Sequence, residues 1–240
     1  MKTQFTSFRK FIQYVGIVAI TALLVGCGGG GGGSSSNVTP VTSFQLQSGY
    51  KKLIANGESW NLSISGTCTG SGTISTSAPG AATFEGASAL STTQTLSISV
   101  TNCTPASQAI TALNYYDSNY NPLGFSTVGM DYAVFQTPLP SPLPTSVSVG
   151  NTGVFGTLTV YTDSTKTTST GTLIVSWAIE SGTTTTAVVN FIGKEYNTSS
   201  QLLFTQQTRY SIDASGTLTL ISIDVQYSTT STTHLVYTRI

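Results

Sequence analysis

Few residues in this chain could do chemistry, and they are scattered. The one histidine, His234, lies between Thr233 and Leu235 with no partner motif and reads as a surface or strand-edge side chain. The acids Glu58, Glu85, Asp117, Asp131, Asp163, Glu180, Glu195, Asp213 and Asp224 are dispersed, most at turns or strand ends where carboxylates are solvated. Two of them could meet as the carboxylate pair of a glycosidase, but no motif selects a pair. No G-x-S-x-G elbow, H-E-x-x-H, phosphate-cradling G-x-x-x-x-G-K or EF-hand loop occurs. A hydrolase with an unrecognised site is therefore the weakest reading, and a non-enzymatic role without cofactor is expected. The two thiols Cys68 and Cys103, with one distant histidine, cannot complete a zinc site. In an exported domain such an even pair reads as a disulfide, closing a 35-residue loop.

The best binding candidate is the stretch Asn114 to Phe125. Tyr115, Tyr116 and Tyr120, with Asp117, Asn119 and Asn121, combine flat apolar faces with hydrogen-bonding groups. Asp, Ser, Asn and Asn-Pro-x-Gly are turn formers, so the stretch reads as a hairpin with tyrosines on its shoulders. Exposed, they could stack on a sugar ring or a partner protein. Alternatively, alternate tyrosines fill the core and the polar residues only make the turn.

The third cysteine, Cys27, belongs to a different setting. Lys2, Arg9 and Lys10 form a positive head, Phe11 to Val25 is apolar except for Gln13 and Thr21, and a small residue and the cysteine follow. Head, short apolar body and small-residue exit make a secretory signal. At 16 residues, Phe11–Gly26 is shorter than the roughly 20 a membrane span needs. Leu24-Val25-Gly26-Cys27 resembles the lipobox of bacterial lipoproteins. The resemblance implies a diacylglycerol on the Cys27 thiol, cleavage after Gly26 and acylation of the new amine. Two or more acyl chains, at about 0.8 kcal/mol per buried CH₂, hold a protein firmly to a membrane. Gly28, not aspartate, after the cysteine implies the outer membrane of a Gram-negative cell, at its periplasmic face or the cell surface. Residues 1–26 are thus the expected signal peptide and 27–40 a lipidated cysteine with its tether. The Gly28–Gly33 run and Ser34-Ser35-Ser36 neither bury surface nor restrict the backbone. No strand or lysine-bearing helix flanks these glycines, so they are not a phosphate loop.

Only 8% of all residues are charged, against roughly 25% in an average soluble domain. Beyond Cys27 six basic residues stand against nine acidic ones, a net charge of −3, with no basic stripe for nucleic acid. Disorder is also excluded, because 39% of residues are hydrophobic and they alternate as in strands. The expected partners are the membrane, through the lipid, and an envelope protein or glycan.

Residues 41–240 are expected to form a mainly β domain, either an antiparallel β-sandwich or an up-and-down barrel. Leu46, Tyr50, Leu53 and Ile54 make one helical stripe, so a short helix is expected within Val41–Gly57, capped by Thr42 or Ser43 and closed by Gly57 beyond Lys51 and Lys52. Gly49 argues against it. From Ser59 the period becomes two. Trp60, Leu62 and Ile64 share one face, as do Leu96, Ile98 and Val100, and short strands are expected near Thr73–Ser75 and Ala82–Phe84. Thr137 to Thr145 carries four prolines and reads as an extended connector between lobes 41–137 and 146–240. Six strands then follow, over 155–161, 171–180, 184–192, 201–212, 217–227 and 233–240. The short polar links, including Gly193–Ser200, predict a six-strand meander.

Overall fold

The computed structural model describes residues 40–137, 142–228 and 233–240. The signal, Cys27 and its tether lie outside the described residues, as does part of the proline-rich connector. Among the described residues one helix, α1 (Leu46–Asn56), precedes thirteen strands. These are β1 (Glu58–Gly66), β2 (Thr69–Thr76), β3 (Gly80–Phe84), β4 (Ala87–Thr101), β5 (Ser107–Tyr116), β6 (Pro122–Thr127), β7 (Tyr132–Phe135), β8 (Thr152–Tyr161), β9 (Ser169–Ser181), β10 (Thr186–Asn197), β11 (Leu202–Asp213), β12 (Leu218–Tyr227) and β13 (His234–Arg239).

Consecutive strands pair antiparallel except β2 and β3, which both pair with β4, and β13 returns to pair with β1, Ile64 opposite Tyr237. The ring is a closed twelve-stranded barrel, not a sandwich. β2 and β3 are two pieces of one arm facing β4: Thr76 pairs with Gln94 and Gly80 with Ser91. Between them lies Pro79, which has no N–H to give to a ladder. The two expected lobes are joined in one sheet by β7 on β8, Ala133 opposite Val160. The predicted meander is present as β8 to β13. One boundary differs: β10 continues through Gly193 to Asn197, because Lys194 and Glu195 stay in register with Thr205 and Phe204.

Alternation explains both faces. Leu62, Ile64, Leu96, Ile98, Val160, Leu173, Val189, Ile212 and Val225 are buried inside the ring. Between them, Ser63, Ser65, Thr95, Ser97 and Thr159 keep water contact on the outer wall. Hairpin turns repeat one device. Asp117, Asn197 and Asp213 each accept backbone N–H groups on Oδ1 from the residues two and four further on, at 2.7–2.9 Å. Asp163 accepts from Thr165 N–H at 2.8 Å. The residue three further on in each loop has a left-handed φ: Tyr120 at 65°, Lys166 at 57°, Ser200 at 59° and Gly216 at 83°. At Asp117, Asn197 and Asp213, whose own N–H groups bond the carbonyl four residues on, this is the three-residue hairpin loop in which an Asx side chain stands in for a backbone acceptor; the Asp163 loop is longer, closed by Thr162 N–H on the Thr168 carbonyl.

The helix closes one end of the barrel. Leu46, Tyr50 and Ile54 are buried as the stripe predicts, and Gly57 ends the helix at φ 68°. The start differs: the cap is Gln45, with no side-chain hydrogen bond, since Thr42 and Ser43 belong to the segment that bridges Phe44 to Val147. No basic residue lies in the last turn; Lys52 instead donates to the Ser215 carbonyl at 3.3 Å. Gly49 is there because the helix meets the β11–β12 turn backbone to backbone. A Cβ on Gly49 would sit 2.0 Å from the Gly216 carbonyl oxygen.

Two further features shape the wall. Cys68 and Cys103 form a disulfide with Cα atoms 5.8 Å apart, joining the β1–β2 and β4–β5 turns at the end opposite the helix. The β3–β4 hairpin folds over the outer wall, where Phe84 stacks on Tyr115 at 4.5 Å and lies 5.5 Å from Tyr132. Its tip, Glu85-Gly86, has both residues left-handed, as a type I′ turn needs. Glu85 accepts from the Tyr132 hydroxyl at 2.6 Å and pairs with Lys166.

Candidate functional site

The groups that converge are not those a motif search would pick. Several strands place a polar residue in their inward phase. Gln94 precedes Leu96, Ile98 and Val100 on the same face of β4, and Asn114 lies between Ala112 and Tyr116 on β5. They are 2% and 3% exposed. Glu58 opens β1 in phase with Leu62, and Tyr210 faces it from β11. The helix adds Tyr50 from above, its ring 5.8 Å from Phe155 and 5.9 Å from Phe191. Together with Leu53, Ile54, Thr76 and Tyr116 these side chains line a cavity inside the helix end of the barrel. It leaves about 40 Å³ for the centres of water-sized molecules.

Glu58 organises one side. Its Oε1 accepts from the Tyr210 hydroxyl at 2.9 Å and its Oε2 from Trp60 Nε1 at 2.6 Å. Burial pushes its carboxyl above the usual range, and the two hydrogen bonds only partly oppose this. The tyrosines shift the same way: burial, helped by the Glu58 charge, lifts Tyr116 to about 12. Burial raises Tyr50 well above the ordinary phenol, with Tyr116 adding to it. Tyr210 is raised by burial and by its bond to Glu58. All three phenols therefore stay protonated at neutral pH, so each hydroxyl keeps a proton to donate.

On the other side, polar atoms face the cavity without a protein partner. Gln94 Nε2 donates to Thr76 Oγ1 at 3.1 Å, which leaves its Oε1 unmet. Asn114 Nδ2 and the Tyr50 hydroxyl also have no partner. A second polar layer lies elsewhere in the interior, where Glu195, Gln206 and Thr208 are fully buried. The expectation that acids sit in solvent fails for Glu195, because it shares the inward phase of Phe191 on β10. Its charge helps burial to raise Tyr227.

The residues singled out from the sequence are divided by the barrel wall. Tyr116 is buried and lines the cavity, whereas Tyr115 faces outward under Phe84. Asp117 holds the turn, accepting also from Asn121 Nδ2 at 2.8 Å. Tyr120 is half-buried against the main core. The four do not share one stacking face. His234 is exposed on β13, 3.0 Å from Asp224, as a strand-edge histidine. Among the described residues no group of three or more His, Cys, Asp or Glu gathers as a metal site. Polar residues standing in the apolar phase of a strand, Gln94 and Asn114 above all, were the signal for this site.

No family model, curated protein or solved structure matches this chain.

Proposed function

We propose that the protein is a lipid-anchored component of the bacterial cell envelope that acts by binding rather than by catalysis. The observation that carries this reading is the lipobox Leu24-Val25-Gly26-Cys27 ahead of a glycine-serine tether. The polarity of the barrel supports it. A barrel that lives in lipid turns an apolar band outward, whereas this one turns Ser63, Ser65, Thr95, Ser97 and Thr159 outward and most of its leucines and isoleucines inward, with Ile174 and Ile221 as exposed exceptions. Such a wall would need a separate anchor to stay at a membrane, and acyl chains on Cys27 would supply it. Tether and lipid would then hold the barrel at the outer membrane with its wall free to meet an envelope partner. The raised phenols and carboxyl at the helix end suit hydrogen bonding better than nucleophilic attack.

The test is metabolic labelling with palmitate in a Gram-negative host, wild type against Cys27→Ala. Label is expected on the wild type alone, with the variant released from the membrane fraction. Equal labelling would end the proposal.

The second reading, recognition of a carbohydrate or other small ligand, is favoured by the cavity at the helix end, where Gln94, Asn114 and Glu58 stand among apolar side chains, not by the Tyr115–Tyr120 hairpin.

A further inference from the structure

At the helix end the barrel wall has a seam between β1 and β12. β13 lies between these strands, pairing Arg239 with Leu62 and Thr238 with Ser222, and the Ile240 N–H then donates to the Asn61 carbonyl at 3.0 Å. Toward the helix from that bond no described strand separates the two flanks. β12 also bends there. Arg209 pairs with Ser222 but Tyr210 with Leu220, so Ile221 is the extra residue of a bulge. The seam is a surface groove of about 320 Å³, bounded by α1 and lined by Lys52, Leu53, Glu58, Trp60 and Leu218 among others.

Both flanks turn backbone groups into it. In an antiparallel ladder alternate residues bond to the same side. Asn61 accepts on the β13 side, so Ser59, two residues earlier, turns its N–H and C=O that way. On β12, the Asp213 N–H donates to the Thr217 carbonyl at 3.3 Å, so Thr217 and Thr219 bond toward β11. Leu218, between them, turns toward the seam. Among the described residues no backbone group pairs with Ser59 or Leu218 on that side. We infer that the seam is a docking site for an extended segment of a partner protein, added as a strand in the track of β13.

Backbone, size and lining select this partner. Only an extended polypeptide offers donors and acceptors at strand period to two flanks at once, and main-chain pairing of this kind is how strand addition gains affinity. With one water-sized group taking roughly 10–15 Å³, about 320 Å³ admits roughly 20–30 non-hydrogen atoms, a stretch of about three residues. Alternation sends one partner side chain inward, where Leu53, Leu218 and Trp60 give it apolar surface, and its neighbours toward water. Lys52 lines the groove and Arg239 lies over the Trp60 ring at 4.4 Å, so a neutral or acidic segment fits better than a basic one. This deepens the reading that the protein acts by binding. It stands on the seam and not on lipid at Cys27, so the labelling test and the one below can fail separately.

The experiment pans a phage-displayed library of linear nonapeptides against the purified full-length protein and measures the best enriched peptide by calorimetry. The expected peptides share one apolar position among neutral or acidic neighbours, and their binding slows amide exchange at Ser59 and Leu218. Ser59→Pro removes the donor that faces the seam and leaves the β1–β2 ladder bonds in place. It should weaken binding about tenfold or more, with Tm read in parallel. A second measurement leaves the protein unaltered: the peptide is N-methylated at one central residue after another. A strand between two flanks bonds on both sides, so methylation at consecutive residues should each weaken binding. No enriched peptide, equal binding by Ser59→Pro, or binding indifferent to N-methylation would overturn the inference. A peptide-free dimer that Ser59→Pro dissociates would assign the seam to a second copy and overturn it too.

Discussion

Cys68 and Cys103 are joined just beyond the last rung of the β2–β4 ladder, the pair Thr69–Thr101. The disulfide therefore ties together two hairpin tips at the end of the barrel that the helix does not cover. With 35 residues between its partners, it should contribute about 3–4 kcal/mol by restricting the unfolded chain. Urea unfolding of Cys68→Ser/Cys103→Ser should show a midpoint lowered accordingly. A change under about 0.5 kcal/mol, the level of an ordinary surface substitution, would show that the bridge does not constrain the fold.

Gly49 gives a prediction whose sign is diagnostic. On helix propensity alone, Gly49→Ala should stabilise by up to about 1 kcal/mol. The Gly216 carbonyl occupies the space of the new methyl, and backbone cannot step aside as a flexible side chain would. We expect Gly49→Ala to destabilise by about 1–3 kcal/mol, read as a fall in Tm and loss of amide protection in α1. A stabilised variant would mean that the helix does not dock on the β11–β12 turn.

The interior phenols predict alkaline sensitivity. In the unfolded chain tyrosine ionises near 10, whereas Tyr116 is held to about 12 and Tyr50 and Tyr210 are raised as well. A raised folded value means that the native state keeps a proton the unfolded state gives up. Stability is thus full below pH 10 and falls as pH rises toward 12, by roughly 2–3 kcal/mol for Tyr116 alone. Urea titrations across this window should show the decline. Tyr116→Phe should make it shallower, with Tyr50 and Tyr210 carrying the remainder, and an unchanged slope in that variant would refute the assignment.

The β3–β4 hairpin is held to the outer wall by a small aromatic cluster apart from the main core and by the Glu85 contacts, so it should open alone. Phe84→Ala removes the ring that lies on Tyr115 and Tyr132, a change worth about 3 kcal/mol where an aromatic is fully packed. Hydrogen exchange should quicken at Gly80–Phe84 and leave β8 to β13 unchanged. Uniform loss of protection throughout the barrel would mean that the hairpin belongs to its cooperative core.

Much of this molecule is legible in local patterns. Period-two alternation marks β8 to β13 and the cores of β1 and β4, because a side chain's face in a strand depends only on its position in the row. The stripe Leu46, Tyr50, Leu53, Ile54 finds the helix, and Asp117 and Asp213 mark their turns, because an Asx side chain reaches only a few residues. The cysteine pair follows from count and context. What local patterns do not contain is closure. Whether Ile64 on the first strand meets Tyr237 on the last depends on twist and stagger accumulated round the whole ring, so barrel and sandwich stay equivalent until the sheet is assembled. Closure also gives the exceptions their meaning. Gln94, Asn114 and Glu195 look like ordinary polar residues in strands until the ring puts their phase inside, and the same wall sends Tyr115 and Tyr116 to opposite sides. Gly49, an argument against a helix when read alone, becomes the residue that lets the helix seat on Gly216. Sequence periodicity determined the strands and the turns; tertiary structure alone decided which face became an interior, because burial is a property of the closed surface and not of any single strand.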